Sequence, residues 1–335
     1  MRAAIIESYG APDTIQIIDR PAPTPGPTEL LIRVHASPVT QGDRRVRAGD
    51  FPGFMAVPGR LFMGVWGPRA EVGGSMFAGV VLAIGAEVTG FSVGDRVFGT
   101  SMDSAHADLL VLDESRSVVR IPEGIGMAEA AAVVFGAGTS LGFLRDLGEL
   151  QPGDELMVIG AAGGVGRYAV QVGKHLGATV TGVCSGRDVE FVRSLGADRV
   201  IDRNTQDWTD EAPRYAVILD TSGKVTFGQA RDCLTEDGRF LNLEITLGLL
   251  RDMLLTGFGS GRKARATVVM EGKGAVQTIA KLLETGALRA AIGARFPFDE
   301  LVEAHKALES RQVQGDVVVE MVPSEVEGDS KARVA

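Results

Sequence analysis

Residues 155 to 166 read ELMVIGAAGGVG, a short apolar run that ends in a cluster of nearly bare backbone. Ala161, Gly163 and Gly166 fall at the spacing of an AxGxxG turn. In such a turn the first small residue sharpens the bend, the second lets a pyrophosphate approach, and the third lets helix and strand pack closely. The turn residues Ala162, Gly163, Gly164, Val165 and Gly166 are therefore the candidate phosphate cradle, with the following helix offering free amides to the anion. Without a ligand, the same glycines would make only a tight strand-to-helix turn. Enzymes that use NAD place an Asp or Glu roughly 20 residues past these glycines to hold the ribose hydroxyls. Here the next strand runs out in VCSGRD, and Ser185 with Arg187, joined by Arg203 after the strand beyond, suits a 2′-phosphate. Asp188 blurs that pattern. The residues favour NADPH over NADH.

The elements that must hold this turn are legible. Val165, Ala169, Val172 and Leu176 share one helical face, Lys174 and His175 suit the helix's negative end, and Gly177 follows as a cap. ELMVIG, TVTGVC, RVID and YAVILD are short strands, each followed by a helical pattern, which predicts a doubly wound parallel sheet of the Rossmann type. The first 120 residues read differently. ELLIRVHASPV alternates Leu30, Ile32, Val34 and Ala36 against Leu31, Arg33, His35 and Ser37, and several further short strands follow, so a barrel-like β domain is expected. RLFMGVWGPRAEVGG, residues 60 to 74, reads as a loop. The last 60 residues hold helices at GAVQTIAKLLETG and FPFDELVEAHKALES, a closing strand GDVVVEM, and a polar tail.

Composition narrows the function classes. The chain has 335 residues and a net charge of −9, from 34 basic and 43 acidic side chains, with no basic stripe to mark nucleic acid as its partner. No stretch approaches the roughly 18 uninterrupted apolar residues of a membrane helix. Cys184 and Cys233 are too few for a disulfide framework or a cysteine-rich zinc module, and the expected compartment is the cytoplasm.

Taken together, VTQGDRRVRAG (39–49), FAGVVLAIGAEVTGFSVGDRVFG (77–99), GAGTSLGFL (136–144), GAAGGVGRYAVQVGKHLGA (160–178), SLGADRVID (194–202) and GRFLNL (238–243) resemble the medium-chain dehydrogenase/reductase superfamily, in its zinc-less quinone oxidoreductase-like branch. The resemblance implies an α/β chain with a discontinuous GroES-like β-barrel domain (1–121 and 266–325) and an inserted Rossmann domain (122–265). A flexible tail would follow at 326–335, and the active cleft would lie between the domains. It also implies that Leu243 borders the cofactor and that two copies pair through the edge of the parallel sheet. Where zinc-dependent relatives carry Cys, His and Cys, this chain has Thr40, Ser75 and Ala137, none a tight zinc ligand. No metal is expected.

Without a Lewis acid, oxidation of a simple alcohol is hard, whereas a quinone or an enone accepts hydride directly. The expected activity is therefore NADPH-dependent reduction of a small-molecule quinone or conjugated carbonyl. The alternatives are a cofactor-binding protein of low turnover with a structural or sensing role, and an NADP-linked alcohol dehydrogenase. Thr40 offers a hydroxyl to the substrate or the nicotinamide amide, or is a hydrogen-bonded turn residue. Thr139 either touches the nicotinamide or caps a helix. Asp43 is more a loop organiser than a proton donor, and Arg47 reads as a surface cation. Phe51, Phe54, Met55 and Trp66 either line a substrate pocket or anchor a loop. His106 reads as packing, with proton donation the lesser option. Met76, where relatives keep a glutamate, and Asp316, where they keep a lysine, are departures that bear on catalysis and interdomain contact.

Overall fold

The computed structural model describes residues 1–51, 56–69, 72–101, 104–258, 261–269 and 271–321. The expected tail at 326–335 and the pocket candidates Phe54 and Met55 lie outside them.

The chain opens with an antiparallel pair, β1 (Arg2–Ile6) and β2 (Ile15–Asp19), from the segment whose Gly10 and Pro12 punctuate two apolar runs. β3 (Glu29–Val39) follows, and its predicted alternation is realised: Leu30, Ile32, Val34 and Ala36 are all buried. Thr40 then starts α1 (Gln41–Ala48), which ends at Gly49 in the left-handed region (φ 62°). Part of the segment expected to be a loop is helical, as α2 (Ala56–Met63). Its apolar residues show no clear period, so the pattern gave no helical signal. β4 (Met76–Ile84), β5 (Arg96–Thr100), β6 (Leu109–Asp113) and β7 (Val118–Arg120) complete the N-terminal strands. Two strands from the far end of the chain join them, β14 (Ile292–Pro297) and β15 (Asp316–Glu320), flanking α9 (Leu301–Ser310). The resulting sheet runs β14-β15-β3-β4-β5-β7, with β6 also paired to β3. Chain closure is direct, because Val317 to Glu320 pair antiparallel with Val39 to Ala36.

The second sheet is wholly parallel, in the order β10-β9-β8-β11-β12-β13. Its strands are β8 (Glu155–Ile159), β9 (Thr179–Cys184), β10 (Arg199–Asp202), β11 (Tyr215–Asp220), β12 (Leu234–Asn242) and β13 (Lys263–Arg265). In chain order from β8 this is the 3-2-1-4-5-6 arrangement of a Rossmann sheet, whose order reverses beside β8 and so opens a crevice at the strands' carboxyl ends. The helices are α4 (Gly166–His175), α5 (Val189–Ser194), α6 (Phe227–Ala230), α7 (Leu247–Gly257) and α8 (Lys273–Glu284).

Joining the two sheets is α3 (Met127–Leu141), which continues as a π-helical turn to Leu147. It packs against β3, β4 and β5 on one side and against α4 and α8 on the other. The combined helix, Met127–Leu147, is long and apolar enough to cross a membrane by length and mean hydropathy, to which its alanines contribute, although Glu129, Thr139, Ser140, Arg145 and Asp146 interrupt it. It is instead a core helix, with 83% of that apolar window buried inside the fold. Small residues are what allow such burial on all sides. An ideal Cβ on Gly136 would lie 2.1 Å from Cδ2 of Tyr168 and 2.6 Å from the Gly164 carbonyl oxygen.

Gly136→Ala should therefore lose about 1–3 kcal/mol of stability by overpacking, read from urea unfolding. Gly274→Ala, in the first turn of α8 with nothing within 4 Å of the new methyl, should cost nothing.

Candidate active site

The glycine turn leaves β8 at Gly160, which adopts φ 81°, a conformation that L side chains rarely hold. The sharp bend expected at Ala161 thus falls one residue earlier. The amides of Gly160 and Ala161 both donate to the Val183 carbonyl on β9, and Gly163 donates back to Gly160 at 2.8 Å. Gly166 packs α4 onto the strand: a Cβ there would lie 2.2 Å from the Gly160 oxygen. Gly163 and Gly164 are exposed, and the space around Gly164 is open, the nearest atom to an added Cβ being an Arg167 nitrogen at 4.0 Å. Among the described residues no group accepts from the amides of Gly164, Val165 or Gly166. Three free donors at the positive end of an amphipathic helix, beneath two exposed glycines, fit the pyrophosphate of a dinucleotide.

The tip of β9 is more mixed than its sequence suggested. The Ser185 hydroxyl donates to Asp188 at 2.7 Å, and Gln314 donates to the other Asp188 oxygen at 3.1 Å. Arg187 is exposed, 3.6 Å from Asp188, and donates to the Arg311 carbonyl at 2.6 Å. Arg203 is also exposed, and its guanidinium has no partner among the described residues. Cys184 lies beneath these groups, and burial, helped by Asp188 and Asp202, pushes its thiol up to about 11, so it is not a nucleophile. Leu243, at the end of β12, is half-buried against the main core.

Opposite the turn, Thr40 caps α1. Its backbone amide and hydroxyl both donate to Oδ2 of Asp43, at 2.8 and 2.6 Å, while the Asp43 amide donates to the Thr40 hydroxyl. Ser75 donates to Oδ1 of Asp43 at 3.1 Å. Asp43 is thus the loop organiser, and the Thr40 hydroxyl is committed to it. Gly42 carries this cap to Phe135 on α3. On the same stretch of helix, Ser140 reaches the Val165 carbonyl at 3.3 Å. The segment 135–140 therefore runs from the Thr40 cap to the glycine turn. Thr139 lies within it, in the last turn of α3 and not at a helix start, so it is no N-cap; its buried hydroxyl donates to Glu271 at 3.2 Å.

The remaining candidates fall in different places. Trp66 is 90% exposed and points to solvent rather than lining a pocket among the described residues. Phe51 packs edge-on to Tyr9, with ring centroids 6.3 Å apart, and fills the space above Gly59, which makes it an anchor of α2. Arg47 is not a surface cation: its side chain is 1% exposed and donates to the Gly10 carbonyl and to Glu309. His106 is buried edge-on to His305, and burial lowers the pKa of both rings, that of His305 to about 2. Both are neutral packing residues. Met76 is core. Asp316 accepts from the Tyr168 hydroxyl and lies 3.3 Å from Arg167, whose Nε donates to the Gly163 carbonyl at 3.0 Å; it ties β15 to the glycine turn.

Several site residues gave no sequence signal. Buried Asp220 accepts from Ser222, Val225 and Asn242 and so shapes the loops after β11 and β12. The Thr221 hydroxyl bonds the carbonyls of Ile159 and Gly160. Arg45 on α1 pairs with Glu244 after β12, bridging the two lobes. A groove of about 1150 Å³ between the β11 loop and α7 includes none of the turn residues; the site is assigned from donor chemistry, not from cavity size.

Comparison with known proteins bears on the fold and the family. The alcohol dehydrogenase GroES-like domain family matches residues 26–187, and the zinc-binding dehydrogenase family matches residues 195–319. A quinone oxidoreductase of Pseudomonas aeruginosa is 32% identical over 330 residues, covering 93% of this chain and 97% of the relative. A mitochondrial NAD(P)H oxidoreductase of Mus musculus is 31% identical, covering 88% and 82%. The solved quinone oxidoreductase of Coxiella burnetii superposes with a TM-score of 0.83 at 26% identity, covering 96% and 99%. A two-lobed oxidoreductase with a nicotinamide cofactor is the class that the fold and the turn define. The chain belongs to the medium-chain dehydrogenase/reductase superfamily, in its quinone oxidoreductase-like branch.

Gly164→Val should leave the melting temperature unchanged yet weaken nicotinamide dinucleotide binding on the order of tenfold, a loss of about 1.4 kcal/mol, measured by cofactor fluorescence. Asp43→Ala should destabilise the fold by about 1–2 kcal/mol through the lost cap, measured by chemical denaturation.

Proposed function

We propose that the protein is an NADPH-dependent, metal-independent reductase of quinones or α,β-unsaturated carbonyls. The observation that carries this reading is the set of three amides at Gly164, Val165 and Gly166 that have no partner among the described residues, on a turn whose Val165 carbonyl is met by Ser140, the residue next to Thr139. When bound, the cofactor supplies hydride. The chain's own residues do the rest. Gly163 and Gly164 admit the pyrophosphate, and the free amides at the start of α4 bind it. Leu243 and the apolar face of α3 exclude water from the inner cleft.

Preference for NADPH rests on Arg203, whose guanidinium has no partner among the described residues. Asp188 is held by Ser185, Gln314 and Arg187, so it is a poor acceptor for ribose hydroxyls. Metal independence rests on residue types. Thr40, Ser75 and Ala137 stand where metal-binding relatives carry ligands, and no cluster of three or more His, Cys, Asp or Glu among the described residues suits a metal. An acceptor that is already electrophilic needs no Lewis acid. Leu247, Leu254, Leu255 and Phe258 of the α7 region are exposed, and with β13 at the sheet edge they suit burial against a second copy in a homodimer.

The test is a panel of quinones and conjugated enones mixed with protein and NADPH, followed at the nicotinamide absorbance with and without a chelator. Acceptor-dependent oxidation that the chelator leaves unchanged is the expected result; a chelator-sensitive oxidation of simple alcohols would overturn it. Arg203→Ala should weaken NADPH on the order of tenfold by loss of a charge-assisted contact, with NADH binding unaffected.

A further inference from the structure

The segment that follows β13 crosses α3 in a groove opened by two glycines one turn apart. Val269 occupies the space above Gly142, where an added Cβ would lie 2.8 Å from Val269 Cγ2. Glu271 occupies the space above Gly138, where an added Cβ would lie 2.3 Å from Glu271 Cγ. A side chain at either helical position would force Val269 or Glu271 to shift. Seated as it is, the segment brings the Glu271 carboxyl to Thr139, whose hydroxyl donates to Oε1 at 3.2 Å.

No charged group among the described residues sets the ionisation of this carboxyl. On its own segment, Lys273 donates to the Glu114 carbonyl at 2.7 Å and lies over the Phe91 ring. Across the cleft, Asp43 is satisfied by Thr40 and Ser75. Among the described residues the donors on Glu271 are Thr139 and its own backbone amide, and burial pushes its pKa up from the usual 4.5 to about 7. A carboxyl of this kind holds a proton at neutral pH and can release it, which suits a general acid.

We propose that Glu271 is the proton source of the reaction, acting on the substrate through the Thr139 hydroxyl; the inference rests on the reductase reading above. Hydride adds to the β-carbon of the conjugated carbonyl, and the displaced π pair moves to the carbonyl oxygen as an enolate. The enolate takes the Thr139 hydroxyl proton as the Glu271 O–H proton passes to the Thr139 oxygen. Glu271 is left as a carboxylate and regains its proton from water. The acceptor has then gained one hydride and one proton, and the nicotinamide has lost two electrons.

The experiment compares wild type, Glu271→Gln, Thr139→Val and Thr139→Ser with NADPH and a conjugated enone across pH. Wild-type kcat should be level below pH 7 and fall above it, as Glu271 ionises. Glu271→Gln and Thr139→Val should lose that limb and slow on the order of 100-fold, with NADPH affinity unchanged; Thr139→Ser should keep both limb and rate. A second readout needs no turnover. The folded state holds a proton that the unfolded chain releases, so wild-type stability should fall as pH rises from about 4.5 to about 7, and Glu271→Gln should lack that increment. An active wild type whose Glu271→Gln variant keeps its rate and pH limb, or parallel stability curves for the two, would overturn this inference alone. A wild type that binds NADPH and reduces no acceptor would remove the reductase reading and this one with it.

Discussion

The contact on which the site depends is the approach of α3 to the glycine turn. Gly136 has room for no side chain against Tyr168 and the Gly164 carbonyl, and Ser140 reaches the Val165 carbonyl from the same helical face. Because α3 also packs on β3, β4 and β5, the barrel and the parallel sheet share one continuous core there. Packed interiors of this kind transmit position with little slack. The glycine turn, Thr139 and the Thr40 cap are thereby held in one fixed relation, although they come from three separate parts of the chain.

Around that contact the buried polar groups are mostly committed to shaping loops. Asp43 builds the Thr40 cap, Asp220 builds the loops beyond β11 and β12, and Asp316 with Arg167 and Tyr168 fixes β15 to the turn. Asp43 and Asp220 each accept several donors, which offsets the desolvation cost of a buried charge, whereas Asp316 accepts from Tyr168 beside the Arg167 guanidinium. What remains uncommitted is correspondingly informative. Among the described residues the three turn amides and the Arg203 guanidinium have no partner, and the Glu271 carboxyl is met by the Thr139 hydroxyl and its own amide. Arg45 and Glu244 join α1 to the loop after β12 with an ion pair.

Local pattern carried much of this architecture into the sequence. The alternation in ELLIRVHASPV set β3, and the 3.6-residue spacing of Val165, Ala169 and Val172 set α4, because both periods follow from which face is buried. α2 was not legible, since its residues show no amphipathic period. The site was legible only where close backbone approach favours a bare residue, as at Gly166, whose added Cβ would lie 2.2 Å from the Gly160 oxygen. Long-range pairings left no such mark. Nothing near residue 271 announces Thr139, 132 residues away, and nothing in RVRAG shows that Arg47 turns inward to Glu309. Trp66 misled because an aromatic residue in a loop is equally compatible with a pocket and with solvent.

The central claim is that hydride passes directly from a nicotinamide at this turn to an activated π-system. Its most direct test is isotopic: NADPH carrying deuterium at nicotinamide C4 is turned over with a conjugated enone in ordinary water, and the product is examined by NMR. The account predicts deuterium retained at the β-carbon and a solvent-derived hydrogen at the α-carbon. Deuterium lost to solvent, or a product unlabelled by either face of the reduced cofactor, would contradict it.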